Sequence, residues 1–294
     1  CAEAPKGDKG TLETDFGAAL VCQGESGGYS HWGCRAFFPD HTPMPCPRLA
    51  RAFARVRNGD AQVAMIPVEN TVAGRVSDIY HLLPDGGLHI IGERYLPVHH
   101  QLLGIKGADK ADIQSARSHP MALGQVRKYL ERTGINPVAD VDTAGAARKI
   151  SELGDKTIGA VASKLSAEIY GLDVLDENIE DATHNTTRFL ILAPNPIMPV
   201  QTDGPVVTSL VFKVRSVASA LYKALGGFAT NGVNMTKLES YMVGGSFTAA
   251  QFYADVEGHP DSPAMRHALE ELTFFSENLK ILGTYPADPI RNLS

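Results

Sequence analysis

Long hydrophobic runs are missing from this sequence. The longest, such as Phe189 to Ala193, fall far short of the roughly 20 apolar residues that a membrane span needs. Basic charge is scarce as well. Lys and Arg total 27 against 33 Asp and Glu, a formal charge of −6, and no basic block stands out. Nucleic acid and anionic membranes are therefore poor partners for it. Cysteine is sparse: Cys1, Cys22, Cys34 and Cys46, all near the start of the chain. A chain of 294 residues can bury a core without disulfide staples. The spacing of Cys22, Cys34 and Cys46 matches no zinc pattern. His31 and Cys34 could share a helix face, and a capping imidazole beside a buried thiol is the plainer reading. No dinucleotide fingerprint, Walker loop, HExxH or EF-hand loop occurs.

What is present is a globular composition, 44% hydrophobic and 20% charged. At roughly 150 residues per domain the length suits two domains. The clearest boundary is the proline-rich stretch from Ala193 to Pro205, which can continue neither a helix nor a central strand. Beyond it, Val206 to Val214 reads as a strand. Val217, Ala220, Leu221, Ala224, Leu225 and Phe228 then repeat on one helix face. Asn234 to Met242 follows as a strand and Val243-Gly-Gly245 as a hairpin turn. Ala250, Phe252, Ala254 and Val256 alternate as in a half-buried strand. Asp261 or Ser262, then Pro263, opens a helix carrying Met265, Leu269, Leu272 and Leu279, and Leu279 to Tyr285 closes with a short strand. This β-α-β-β-α-β order is the ferredoxin-like split unit.

Residues 17 to 193 alternate apolar strands with amphipathic helices. Strand candidates are Ala18 to Cys22, Gln62 to Val68, Leu88 to Ile91, Tyr95 to Ile105, Thr157 to Val161 and Arg188 to Leu192. Helical patterns run through Leu49, Ala52, Phe53 and Val56, and through Val72, Val76, Ile79 and Leu83. The pattern predicts an α/β sheet covered by helices, with ligands gathering at loops past the strand ends. The polar tail before Phe16 reads as mobile. Cys1 stands where an initiator Met would, which fits a processed or trimmed start or a cleaved signal. The expected location is the cytoplasm.

One catalytic pattern is matched directly. Gly24-Glu25-Ser26-Gly27-Gly28 fits G-x-S-x-G after a strand, the turn that exposes a nucleophilic Ser in α/β-hydrolases. It comes very early for such an elbow, and no distal His is singled out. A flexible Gly loop opening a helix is favoured. Polar clusters at element ends say more when taken together: Pro67-Val-Glu-Asn-Thr71, Ser118-His-Pro120 with Gln125 beyond it, Asp142-Thr143-Ala-Gly-Ala146, and Asn185-Thr-Thr-Arg-Phe189. Alone, each has a plain role as cap or turn. Together they predict a cleft of hydroxyls, amides, helix N-termini and one Arg, suited to a small anionic carbon acid.

These clusters, with Thr143-Ala-Gly-Ala-Ala-Arg148 and Glu177-Asn-Ile-Glu-Asp181, resemble the prephenate dehydratase family in order and spacing. Ala220-Leu-Tyr-Lys-Ala-Leu225 and Asn234-Met-Thr-Lys-Leu-Glu-Ser240 resemble that family's ACT regulatory domain, so the likeness covers nearly the whole chain. Gly24, Gly27, Tyr29 and Ser30 also fit the family's first Gly-rich loop. The resemblance implies a two-lobed catalytic domain like a periplasmic binding protein over 17–193. Lobe 1 would be about 17–96 with 178–193, and lobe 2 about 97–177. A flexible tail 1–16, a linker 194–205 and an ACT domain 206–288 complete it.

The implied reaction is a lyase step, prephenate to phenylpyruvate in phenylalanine synthesis, with no metal or organic cofactor. Thr187 would assist the departing hydroxyl, Arg188 would clamp a carboxylate, and Glu69 would be a lower-ranked proton source. Asn70, Thr71, Ser118, Gln125, Thr143 and Phe189 would position the substrate. L-phenylalanine would bind Ala220, Leu221, Asn234, Met235, Glu239 and Ser240 at a subunit interface, making a homodimer or homotetramer. The family's Pro-Gly-Ala-Leu reads Ala218-Ser-Ala-Leu221 here, its Glu-Ser-Arg-Pro reads Glu239-Ser-Tyr-Met242, and Met121 stands where Gln is frequent. Arogenate dehydratase is the nearest alternative. A hydrolase using Ser26, or a non-catalytic aromatic-acid sensor, is the alternative of another class.

Overall fold

The computed structural model of the chain describes residues 19–75, 79–201, 204–214, 219–242 and 250–293. The tail 1–16, Val76, Val217 and the hairpin turn at 243–245 lie outside them. The first stretch runs β1 (Ala19–Gln23), α1 (Tyr29–Phe37), β2 (Thr42–Cys46), α2 (Leu49–Arg57), β3 (Val63–Asn70), β4 (Gly74–Arg75), α3 (Ile79–Leu82) and β5 (His89–Pro97). Next come β6 (Gln101–Gly104), β7 (Ser115–Ser118), α4 (Pro120–Gln125), α5 (Arg127–Thr133) and β8 (Asn136–Ala139). They are followed by α6 (Thr143–Leu153), β9 (Ile158–Ala162), α7 (Lys164–Tyr170), β10 (Asp173–Asp176) and β11 (Thr186–Ala193). The C-terminal stretch is β12 (Val206–Val214), α8 (Ala220–Thr230), β13 (Met235–Met242), β14 (Ala250–Glu257), α9 (Pro263–Phe275) and β15 (Ser276–Pro286). Among the described residues, no helix is long and apolar enough to cross a membrane.

Two compact units divide the chain, one of residues up to 76 with 96–189, the other of 77–95 with 190–294. In the first unit β1 lies between β2 and β3, all parallel, and β4 pairs with β3. Its second sheet has the order β10-β6-β9-β7-β8. Strand alternation sends neighbours to opposite faces, so Leu102 and Val161 pack with Tyr129 and Leu130 on one side. Leu103, Ala160 and Ala162 pack with Ala146, Ala147 and Ile150 on the other. Burial of each Leu, Val or Ile here contributes roughly 1.5–3 kcal/mol, and of each Ala less. Asp142 caps α6 by accepting from the Gly145 amide at 2.7 Å, and Ser163 caps α7 through Ser166.

Several short strands carry no apolar signal because they lie at sheet edges. β2 contains Pro43 and Pro45, β8 contains Pro137, and β10 begins and ends in Asp. The expected helix through Val72 and Leu83 is reduced to α3. Gly74 and Arg75 instead turn back to pair antiparallel with Asn70 and Glu69 as β4, after an Asx turn in which Asn70 Oδ1 accepts from the Val72 and Ala73 amides at 2.9 and 2.8 Å. The two strands expected from Leu88 to Ile105 divide elsewhere. β5 runs straight through Glu93, which is wholly buried in an ion pair with Arg291, and the break falls at His99-His100.

In the second unit the β-α-β-β-α-β order is realised as an antiparallel sheet of order β13-β14-β12-β15. Leu210, Phe212, Ala224, Phe228, Phe252, Met265 and Leu272 form its core. Ser262 caps α9 ahead of Pro263, as the sequence predicts. Leu279 leaves the helix face assigned to it and lies in β15, an eleven-residue strand. β14 is not half-buried either, since Tyr253 and Asp255 on its second face are also buried. Asp255 Oδ1 accepts from Ser209 Oγ at 2.5 Å and Tyr253 OH at 2.6 Å, while Arg291 donates to Glu93 and reaches Asp255 at 3.5 Å. Residues 77–95, expected in the first catalytic lobe, group here because Tyr80 packs on Tyr253 and Glu93 receives Arg291. Gly283 meets the Ile90 backbone so closely that a Cβ would sit 1.9 Å from its carbonyl oxygen.

Candidate active site

A cavity of about 260 Å³ opens in the first unit where several element ends meet. The β1–α1 loop, the end of β3, the β5–β6 turn, the starts of α4 and α6, and β11 all contribute. The loop is held from below. Ser163 Oγ and Ser166 Oγ donate to the Gly27 carbonyl at 2.5 and 2.9 Å, and Tyr170 OH donates to the Ser26 carbonyl at 2.7 Å. Gly27 has φ +90°, and a Cβ there would meet Ser166 Oγ at 2.8 Å, so only glycine fits. His31 Nδ1 accepts from the Gly27 amide and Cys34 is a buried free thiol, as the sequence predicts.

Thr187 and Phe189 leave the same face of β11 and line the cavity. Thr187 Oγ1 accepts from Asn70 Nδ2 at 3.0 Å. The Asn70 amide cannot be turned over, because its oxygen is the acceptor for two backbone amides in the Asx turn. That oxygen also accepts from Gln125 Nε2 at 3.3 Å, while Asn70 Nδ2 reaches Asn185 Oδ1 at 2.7 Å. Gln125 Oε1 accepts from Asn185 Nδ2 at 3.1 Å and lies 2.6 Å from His100 Nε2. His100 Nδ1 lies 2.5 Å from Tyr29 OH. Burial holds the Tyr29 phenol well above its ordinary pKa, with Glu180 acting in the same direction. Burial likewise lowers the His100 pKa, against an opposing Gln125 hydrogen bond.

Asn70, Gln125, Thr143, Thr187 and Phe189 are thus gathered at one cavity. The other positions are placed elsewhere. Arg188 leaves the opposite face of β11 from Thr187 and pairs with Glu69 at 2.9 Å, so neither lines the cavity. Thr71 Oγ1 donates to the His184 carbonyl at 2.5 Å and accepts from the Thr186 amide, tying two strands together. Ser118 is fully buried and donates to the Val161 carbonyl at 2.6 Å. His119, not Ser118, caps α4, and Asp142, not Thr143, caps α6. Tyr29, His100 and Asn185 were not singled out as site residues by the sequence. Only the Gly-rich loop pointed toward Tyr29.

Among the described residues no Lys or Arg lines the cavity, whereas Glu25 and Asp142 do. Any anion there must be held by amides at helix starts, hydroxyls and side-chain amides. Among the described residues no group of three metal-ligating side chains is disposed to hold a metal ion. In the second unit, Leu221 and Met235 pack against the core, and Ala220 is buried at the start of α8. Asn234 donates to Glu257, Glu239 accepts from Lys237, and Ser240 is exposed. None of these six lines the cavity at Thr187.

Comparison with known proteins puts this geometry in a family. A bifunctional N-acyl-homoserine lactone acylase/prephenate dehydratase from Komagataeibacter europaeus is 51% identical over 272 residues, covering 92% of this chain and 97% of that protein. An arogenate dehydratase/prephenate dehydratase from Arabidopsis thaliana is 40% identical over 94% of this chain and 74% of its own. A solved structure described as a novel type of quorum quenching acylase superposes with a TM-score of 0.87 at 50% identity, covering 93% of this chain and 99% of the other. Prephenate dehydratase from Arthrobacter aurescens in complex with L-Phe gives 0.84 at 28% identity, over 92% and 90%. The family model for prephenate dehydratase matches residues 20–197, the stretch that holds every residue lining the cavity, and the chain belongs to that family.

Proposed function

We propose that the chain removes carboxylate and hydroxyl from prephenate, giving phenylpyruvate, carbon dioxide and water. One observation carries this reading. Thr187 Oγ1 already accepts from an Asn70 amide fixed by the backbone, and its own proton has no protein acceptor among the described residues. That proton is therefore the donor offered to the cavity. As the ring carboxylate leaves as carbon dioxide, the electrons of its C–C bond enter the ring. The C–O bond opposite breaks, and the departing hydroxide takes up one proton to leave as water. Thr187 polarises that oxygen; a donor aimed at developing negative charge contributes about 10²–10³ in rate. An unassisted Thr is too weak an acid to transfer its proton outright.

We read the first unit's catalytic part as the two-lobed, periplasmic-binding-protein-like domain of this family, and the C-terminal β-α-β-β-α-β unit as an ACT domain. L-phenylalanine is its proposed effector, bound between subunits of a homo-oligomer. The strand order of that unit and the L-Phe complex of the Arthrobacter relative support this. Arogenate is the alternative substrate, favoured by the relatives described as arogenate dehydratases. Acyl-amide hydrolysis is the second reading, resting on the acylase descriptions of two relatives at about half identity. Ser26 is exposed in the cavity loop, and among the described residues no imidazole is hydrogen-bonded to its hydroxyl.

Purified protein offered prephenate and arogenate separately, with phenylpyruvate or phenylalanine followed and L-phenylalanine titrated in, tests the reading. A loss of about 10²–10³ in turnover in Thr187→Ala is the expected result. No turnover of either substrate would overturn it, and an acylase activity silenced by Ser26→Ala would establish the second reading.

A further inference from the structure

We propose that His100 is a positioning residue for the dehydration, anchoring the far end of the hydrogen-bond chain that ends on Thr187. The proposal rests on Thr187 as the donor to the leaving hydroxyl. The Asx turn fixes Asn70 Oδ1 as an acceptor, so the Gln125 group facing it must be the NH₂. Gln125 Oε1 is then the acceptor for both Asn185 Nδ2 and His100 Nε2. His100 therefore carries its proton on Nε2, and its Nδ1 lone pair receives the Tyr29 hydroxyl. Every bond points the same way: Tyr29 to His100, His100 to Gln125, Gln125 to Asn70, Asn70 to Thr187. Bonds aligned in this way reinforce one another.

The imidazole is itself held on several sides. Its backbone amide donates to Glu180 Oε2 at 2.9 Å, and Glu180 Oε1 lies 2.6 Å from His99 Nδ1. The Tyr29 ring meets it edge-on, at 5.3 Å and 81°. Tyr29, His99 and Glu180 are the titratable groups facing it. Without His100, Gln125 Oε1 keeps only Asn185 as a donor. A turned-over Gln125 would set oxygen against Asn70 Oδ1 and nitrogen against Asn185 Nδ2. His100 thus acts against that rearrangement, keeping Gln125 and Asn185 bonded in place beside the backbone-fixed Asn70 and its contact to Thr187.

The test compares His100→Ala with His100→Gln, whose amide can offer a donor where Nε2 stands. We expect kcat of His100→Ala to fall on the order of tenfold to a hundredfold, with KM within about threefold. His100→Gln should recover most of the lost rate at an equal thermal midpoint. A kcat of His100→Ala within twofold of the parent, a change confined to KM, or no recovery in His100→Gln would each overturn the proposal. The ¹⁵N shifts of His100 decide independently of turnover. A neutral ring protonated at Nε2 near pH 7 is expected, and an Nδ1-protonated ring or an imidazolium would overturn it. Absence of turnover in the parent protein would count against the dehydratase reading instead.

Discussion

The Arg188 guanidinium, 2% exposed, donates to the Glu69 carboxylate at 2.9 Å on the side of β11 that faces away from Thr187. Sequence neighbours on a strand serve opposite faces, so Thr187 meets the cavity while Arg188 braces β11 against β3. Glu69→Gln is expected to lower unfolding free energy by about 2–3 kcal/mol, below the 3–5 kcal/mol of fully buried pairs because Glu69 is partly exposed. KM for prephenate should stay within about threefold. Chemical denaturation and steady-state kinetics measure both, and a tenfold rise in KM at unchanged stability would return the pair to the substrate.

Thr187→Ser keeps a hydroxyl in reach of Asn70 and should retain a measurable rate. Thr187→Ala should lose about 10²–10³ in kcat, with a thermal midpoint close to the parent's. A rate for Thr187→Ala within tenfold of the parent would remove the donor role.

Glu25 and Asp142 are the carboxylates at the cavity; among the described residues no Lys or Arg lines it, and Glu25 is partly offset by Arg148 at 3.6 Å. Prephenate carries two negative charges, whereas arogenate carries an ammonium as well. Glu25→Gln should raise kcat/KM for prephenate more than for arogenate, by a few-fold at low ionic strength and less at about 0.15 M salt. Equal effects on the two substrates would show that the Glu25 charge does not reach the bound ligand.

Ser219 sits at φ +60°, a left-handed conformation that favours glycine. A left-handed conformation costs a non-glycine residue about 1–2 kcal/mol, so Ser219→Gly should stabilise the protein by about 1 kcal/mol. An unchanged or lowered denaturation midpoint would contradict this.

Burial raises the Asp288 carboxyl above its ordinary pKa, against a backbone hydrogen bond from Ile290 and the charge of Arg94. A folded-state pKa above the unfolded one makes ionisation of this group a cost to folding. That cost is absent below about pH 4, where both states are protonated, and complete above the raised pKa. Asp288→Asn should therefore gain stability relative to the parent between pH 4 and pH 7. Unfolding titrations at the two pH values check the sign, and a constant difference would refute it.

Much of the fold was legible because it is periodic. The apolar runs of β3, β11 and β12 and the helix face carrying Ala220, Ala224 and Phe228 stand out from their polar surroundings. The edge strands did not, since Pro43, Pro45 and Pro137 mask them, and neither did the burial of Glu93 and Asp255, which depends on Arg291 some 200 and 36 positions away. At the site, Thr187, Phe189, Asn70 and Gln125 were found because polar groups beside apolar strands are conspicuous. Tyr29, His100 and Asn185 were not, because their importance lies in which partner each faces. Arg188 was misplaced because sequence gives adjacency and only geometry gives the face.

The two prolines of β2 have a consequence for assembly. Pro43 and Pro45 share one orientation along the strand, and because β2 is bonded to β1 on its inner side, their nitrogens face outward. Where another strand would look for amide donors, the border of the sheet presents two ring nitrogens that have none. A second chain therefore cannot extend this sheet across β2 by continuous backbone pairing. That border is protected from runaway stacking during synthesis and at high concentration.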